Sequence, residues 1–198
     1  MAAAAAASAA APSVNASSAE TEARDAIRAM ANSLLATLAA GANRTQRERH
    51  FRALYRRYFY NDGIAVWAAG RVFAPAAPEV KREYLEVFED YIVTAYAALL
   101  AKYKGERLRV DGSEMNGHDV IVVSHLVNPN PRESREIEMR WIFYRVGVRL
   151  LLRDVVIDKI SMALTERRAF AEWTSETGGT LAGLVAVIRK KIVYWAKY

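Results

Sequence analysis

Hydrophobic positions recur along this chain with two different periods, and the change between them divides it into three blocks. From Glu20 the spacing is helical: Ile27, Met30, Leu34, Leu35 and Leu38 fall on one stripe. Gly41 and Asn43 stop that helix, and Thr45 is placed to cap the next one. There Phe51, Leu54, Tyr55, Tyr58 and Phe59 share a face opposite Arg49, Arg52 and Arg56. Asn61-Asp62-Gly63 interrupts the pattern, with Asp62 as the expected cap of a short third helix carrying Ile64, Trp67 and Val72. Pro78 then suits the first turn of a long helix over 79–103. Its stripe runs Tyr84, Phe88, Tyr91, Ile92, Ala95, Tyr96, Leu99 and Tyr103, and Gly105 is its expected C-cap.

After Gly105 the period falls to two. Residues 107–127 and 135–157 read as four strands. Val120, Val122 and Ser124 alternate with Ile121, Val123 and His125, so the second strand is apolar on both faces. Asn128-Pro129-Asn130-Pro131 is a turn signal. In the third strand Ile137, Met139, Trp141 and Phe143 alternate with Glu136, Glu138 and Arg140. Short turns make the set an antiparallel meander. Two helices close the chain, one over 165–176 and one from about Thr180 with the stripe Leu181, Leu184, Val185, Ile188, Ile192 and Trp195. Helices, then strands, then helices make an α+β plan: a four-stranded antiparallel sheet wrapped by about six helices.

Residues 1–19 are low-complexity and alanine-rich. They read as a secretory signal remnant or an unstructured leader, although a basic n-region is missing. Residues 20–198 are then one domain. The absence of cysteine excludes zinc fingers, disulfides and thiol catalysis. A net charge of +6 fits anionic membranes, acidic partners or nucleic acid. The densest basic run is Arg44, Arg47, Arg49, Arg52, Arg56 and Arg57. It reads first as a solvated helix face and second as an attractor of anionic lipid headgroups. The neighbouring aromatics point inward, away from the arginines, so nucleic acid is not expected.

Catalytic chemistry is sparse. His50, His118 and His125 have no metal-ligand spacing, and neither a metal nor a cofactor is expected. Asp154 and Asp158 bracket the end of the fourth strand, about 13 Å apart if it is straight; capping is the simpler role. Ser161 lacks a nucleophile elbow, and Gly178-Gly179 lacks the rest of a phosphate loop. The apolar inventory exceeds the polar chemistry. A filled core accounts for it, and so does an apolar cavity under the long helix.

The order of several motifs narrows the reading. Ala69-Gly70-Arg71-Val72-Phe73, Ala77-Pro78-Glu79, Phe88, Tyr96, Tyr103 and Gly105 resemble the MlaC-type family of periplasmic phospholipid-binding proteins. These are also known as toluene-tolerance or ABC-transporter auxiliary proteins. Trp141 is similar to the family's mid-strand tryptophan. Asp154-Val155 followed by Ile160-Ser161-Met162 resembles its DV…GVSM signature, and Phe170, Gly179 and Leu184 fit its closing helices. The resemblance covers about 44–190. Lys159 departs from it, standing where the signature has glycine.

The resemblance implies an NTF2-like fold with an apolar cavity that holds a phospholipid's acyl chains. It also implies a periplasmic location and transport between an outer-membrane lipoprotein complex and the substrate-binding component of an inner-membrane ABC transporter. Such a carrier is a monomer with no enzymatic step. A hopanoid-like lipid is the alternative ligand. An NTF2-like enzyme with His125 or Asp154 deep in its cavity is the alternative activity. The residues expected to line the lipid site are Trp67, Val72, Phe88, Ile92, Tyr96, Val122, Met139, Trp141, Phe143 and Val155.

Overall fold

A computed structural model of the protein describes residues 13–130 and 136–198. Residues 1–12 of the alanine-rich leader lie outside that range, as do Pro131 of the expected turn and Arg135 of the expected strand run. Six α-helices surround one antiparallel sheet: α1 (Ser13–Ala39), α2 (Arg44–Tyr58), α3 (Asn61–Ala69), α4 (Pro78–Leu100), α5 (Met162–Glu176) and α6 (Leu181–Trp195). The strands are β1 (Arg107–Asn116), β2 (Asp119–Val127), β3 (Ile137–Val146), β4 (Arg149–Ile157) and β5 (Ile160–Ser161), in the order β1-β2-β3-β4-β5.

The sheet therefore has five strands, not the expected four. The fifth is two residues long and pairs back on β4, Val156 with Ser161 and Ile157 with Ile160. Asp158 and Lys159 form the turn between them at φ 46° and 70°. A two-residue hairpin of this hand needs positive φ at both central positions. The period-two pattern is too short there to announce a strand, and Asp-Lys is not a hairpin dipeptide by composition. The geometry also explains why a glycine suits position 159: left-handed backbone costs a residue with a Cβ roughly 1–2 kcal/mol.

Several caps differ from expectation. Asn43, not Thr45, caps α2, through a capping box in which Asn43 and Gln46 exchange hydrogen bonds of 2.8 and 3.0 Å. Helix α3 follows Tyr60 with no side-chain cap, so Asp62 lies in its first turn. Helix α4 ends at Leu100 with Ala101 as its C-cap, so Gly105 lies beyond it. The last helix starts where expected, and Thr180 caps it, its hydroxyl accepting from the Gly183 amide at 3.1 Å. Helix α1 reaches back to Ser13 and buries Ala19 and Ala23.

Two apolar cores result. In one, α1 lies across the sheet, and Ala23, Ile27 and Leu54 meet Val120, Val122, Trp141, Phe143 and Leu152. In the other, α3, α4, α5 and α6 pack around Tyr84, Phe88, Phe170 and Leu184. Helix α2 stands between them. It sends Leu54 and Tyr58 toward the sheet and Phe51 and Tyr55 toward α4, and Phe59 packs against both cores. The aromatic stripe of α4 thus faces other helices, with α6 and α2 as its chief neighbours. The periodicity locates the stripe correctly but cannot say which layer it faces.

Candidate functional site

The open volume lies at the edge of the sheet. A bulge opposite Ile142 and Phe143 inserts Arg153 into β4, between Leu152 and Asp154. Leu152 stays fully buried on the α1 side. Asp154 pairs with Ile142 and faces the other way, the re-aiming that bulges produce. Just before α3, the Tyr60 amide donates to the Leu152 carbonyl at 2.8 Å, tying that helix to the same edge.

Asp154 then fixes α5. Its carboxylate accepts from the Ser161 hydroxyl at 2.5 Å and from the Val155 and Ala163 amides at 2.8 and 2.9 Å. Ser161 in turn caps the helix, accepting from the Leu164 amide at 3.0 Å. Both residues sit at the helix start, where exposed N–H groups favour oxygen and negative charge. The Asp-Val…Ser-Met segment is thus an architectural knot: it ends the sheet and sets the direction of α5.

Between α3, α5 and the β3–β4 edge lies a cleft of about 470 Å³, within the roughly 300–1,000 Å³ usual for ligand sites. Ile64 and Trp67 form one wall, Ala163 and Leu164 another, and Ile142 and Tyr144 the floor. Polar groups rim it. Arg153 pairs with Asp119 and lies over the Tyr144 ring at 5.7 Å. Arg167 lies over Trp67 at 4.6 Å and donates to the Trp67 carbonyl. Trp67 is 44% exposed, a large apolar surface to leave open.

Of the ten residues expected to line a lipid site, Trp67 is at this cleft and Val72 is in an adjoining pocket. Phe88, Ile92 and Tyr96 belong to the helical core. Val122, Met139, Trp141, Phe143 and Val155 belong to the sheet core. The structure therefore brings them together as two packed groups on either side of α2. Sequence reasoning missed Tyr60, Ile64, Ile142, Tyr144, Arg153 and Leu164. The signal for Ile142 and Tyr144 was available: the polar face of β3, Glu138 and Arg140, turns apolar at its next two positions.

Polar groups inside the helical core are few. Tyr84 donates to the Ala65 carbonyl at 2.7 Å, and Tyr91 to the Glu166 carboxylate at 3.2 Å. Burial pushes the Glu166 carboxyl up to about 7, against the opposing hydrogen bond from Tyr91. The buried Tyr55 hydroxyl has no partner among the described residues. His125 lies outside this interior, on the sheet face away from α1, with Nδ1 2.5 Å from Asp111. Asp154 does line the cleft, but its oxygens already accept three hydrogen bonds. Three of the six α2 arginines are paired with carboxylates: Arg44 with Glu48, Arg52 with Glu89 and Asp90, and Arg56 with Glu89.

The class defined by this architecture is an α+β domain with a small antiparallel sheet, helices on its face and edge, and a half-open apolar cleft. The same fold occurs in the phospholipid-binding protein from Ralstonia solanacearum, solved in complex with a phospholipid. That likeness has a TM-score of 0.75 at 18% identity and covers 87% of this chain and 97% of that one. The MlaC protein family matches residues 27–190. The chain belongs to the MlaC family.

Proposed function

We propose that this protein is a periplasmic carrier that binds the acyl chains of a phospholipid. It shuttles the lipid between an outer-membrane lipoprotein complex and the substrate-binding component of an inner-membrane ABC transporter. The observation that carries this reading is the family match over 27–190, joined to a fold shared with a protein that holds a phospholipid. No helix among the described residues is long and apolar enough to cross a membrane.

The proposed route for the lipid starts at the cleft. An acyl chain enters at the cleft against Trp67, Ile64 and Leu164. Behind it, Phe59 and Tyr55 mark the seam where the two cores meet on α2. Opening that seam exposes Phe88, Ile92 and Tyr96 on one side. On the other it exposes Val122, Met139, Trp141, Phe143 and Val155. These walls, with Val72, form the NTF2-like cavity of the loaded state. Each buried methylene contributes about 0.8 kcal/mol, so two chains offset the cost of parting well-packed side chains. The cycle has no chemical step.

Native mass spectrometry of protein purified from a lipid-containing host tests this directly. A bound mass matching a phospholipid is expected, with release to acceptor vesicles. A lipid-free mass, with no uptake from phospholipid vesicles, would contradict it.

A further inference from the structure

A second pocket adjoins the cleft across Trp67. It encloses about 270 Å³ between α3, the 3₁₀ turn Gly70–Val72 and α5. Arg71 and Arg167 both line it, and no carboxylate does. Neither arginine has a carboxylate partner among the described residues. That contrasts with the paired arginines of α2 and of the sheet rim. Bringing two guanidiniums to one concave site without a counter-charge is unfavourable, and an anion between them reverses the sign.

One further feature suits an anion. Thr174 also lines the pocket, and its hydroxyl is buried with no hydrogen-bond partner among the described residues. A buried hydroxyl left unpaired costs free energy that a ligand oxygen can recover.

We infer that this pocket is an anion subsite that takes a phosphate group, with Arg71 and Arg167 as its charged donors and Thr174 as a neutral one. The assignment rests on the lipid-carrier reading for its source of phosphate, the headgroup of a phospholipid whose chains lie in the cleft. Arg167 joins the two sites, because one face of its guanidinium covers Trp67 while the group itself reaches the pocket. Headgroup and chain would then lie on opposite sides of Trp67. Arg is suited to this role through its fixed fork of donors.

The test compares dihexanoyl phosphatidylglycerol, dihexanoylglycerol and inorganic phosphate on the wild type, Arg71→Gln and Arg71→Gln/Arg167→Gln. Arg71 is exposed, so the single variant is expected to melt as the wild type does. Affinity for the phospholipid should fall about tenfold in the single variant and more in the double, the usual scale for a charge-assisted hydrogen bond. Affinity for the uncharged dihexanoylglycerol should not change. Inorganic phosphate should bind only weakly and compete with the phospholipid. Equal losses for both lipids, or no loss for either, would overturn the subsite and leave the carrier standing. Inorganic phosphate binding as tightly as the phospholipid would overturn the headgroup assignment in favour of free phosphate. A wild type that binds neither lipid would overturn both.

Discussion

Alternate residues of β3 live in opposite worlds. Trp141 and Phe143 point toward α1, where the sheet is sealed; Phe143 is fully buried and the Trp141 indole donates to Ser124 at 2.8 Å. Ile142 and Tyr144, one position along in each case, form the floor of an open cleft. Both sets contain large apolar side chains, so hydrophobicity alone does not separate core from site. What separates them is the covering layer. A 27-residue helix spans one face, whereas the other is flanked at its edge by α3 and α5, positioned by the Arg153 bulge and the Asp154–Ser161 knot. One strand thus supplies a sealed core on one side and the floor of an open cleft on the other.

The sharpest way to break that contrast is to truncate each side in turn. Phe143→Ala should cost about 3–5 kcal/mol in a denaturant titration, as deletion of a fully buried aromatic does. Tyr144→Ala, whose parent side chain is 40% exposed, should cost well under half as much while weakening phospholipid uptake. Similar losses from both would mean the cleft side is ordinary core.

Glu166 probes the helical core, where its carboxylate accepts from Tyr91. Burial lifts its carboxyl to about 7 in the fold, above its ordinary 4.5, so the folded chain holds this proton more tightly than the unfolded chain. The stability it gives is complete below about 4.5 and is lost as pH rises through 7. Glu166→Gln should flatten stability between those limits and add on the order of 2 kcal/mol at pH 8. An unchanged pH profile would show that the carboxylate is hydrated in the fold.

Ser124→Ala tests the sealed side more gently. It strands the Trp141 indole N–H and should cost about 1–2 kcal/mol, with lipid uptake unaffected. The smallest effect belongs to the turn that feeds α5. Lys159→Gly should stabilise the protein by roughly 0.5–1 kcal/mol, because glycine accepts the φ of 70° at less cost than lysine. A loss of stability would mean that the lysine side chain makes a compensating contact.

The extent to which sequence anticipated this structure follows the range of the forces involved. Helices and strands were legible because their periods are local: the α4 stripe and the Ile137–Phe143 alternation are where the pattern puts them. The start of α6 near Thr180 was equally local. The layer each face meets was not legible, because it depends on α2 standing between α4 and the sheet. Nor was the cleft. It depends on an inserted residue in β4 and on a two-residue strand, features of register that composition does not encode. Trp67 was expected at a lipid site once the family resemblance was in hand, and it lines the cleft. Arg153 was missed because a basic residue in a strand reads simply as its solvent face.

The central claim is that lipid occupies the cleft between α3, α5 and the β3–β4 edge. A phospholipid carrying a diazirine in its acyl chain, loaded from vesicles and photolysed, tests it most directly when the adducts are mapped by peptide mass spectrometry. The account predicts labels on Ile64, Trp67, Ile142 and Leu164, with competition by unlabelled phospholipid. Labels confined to the outer face of α1, or labelling that excess lipid does not reduce, would contradict it.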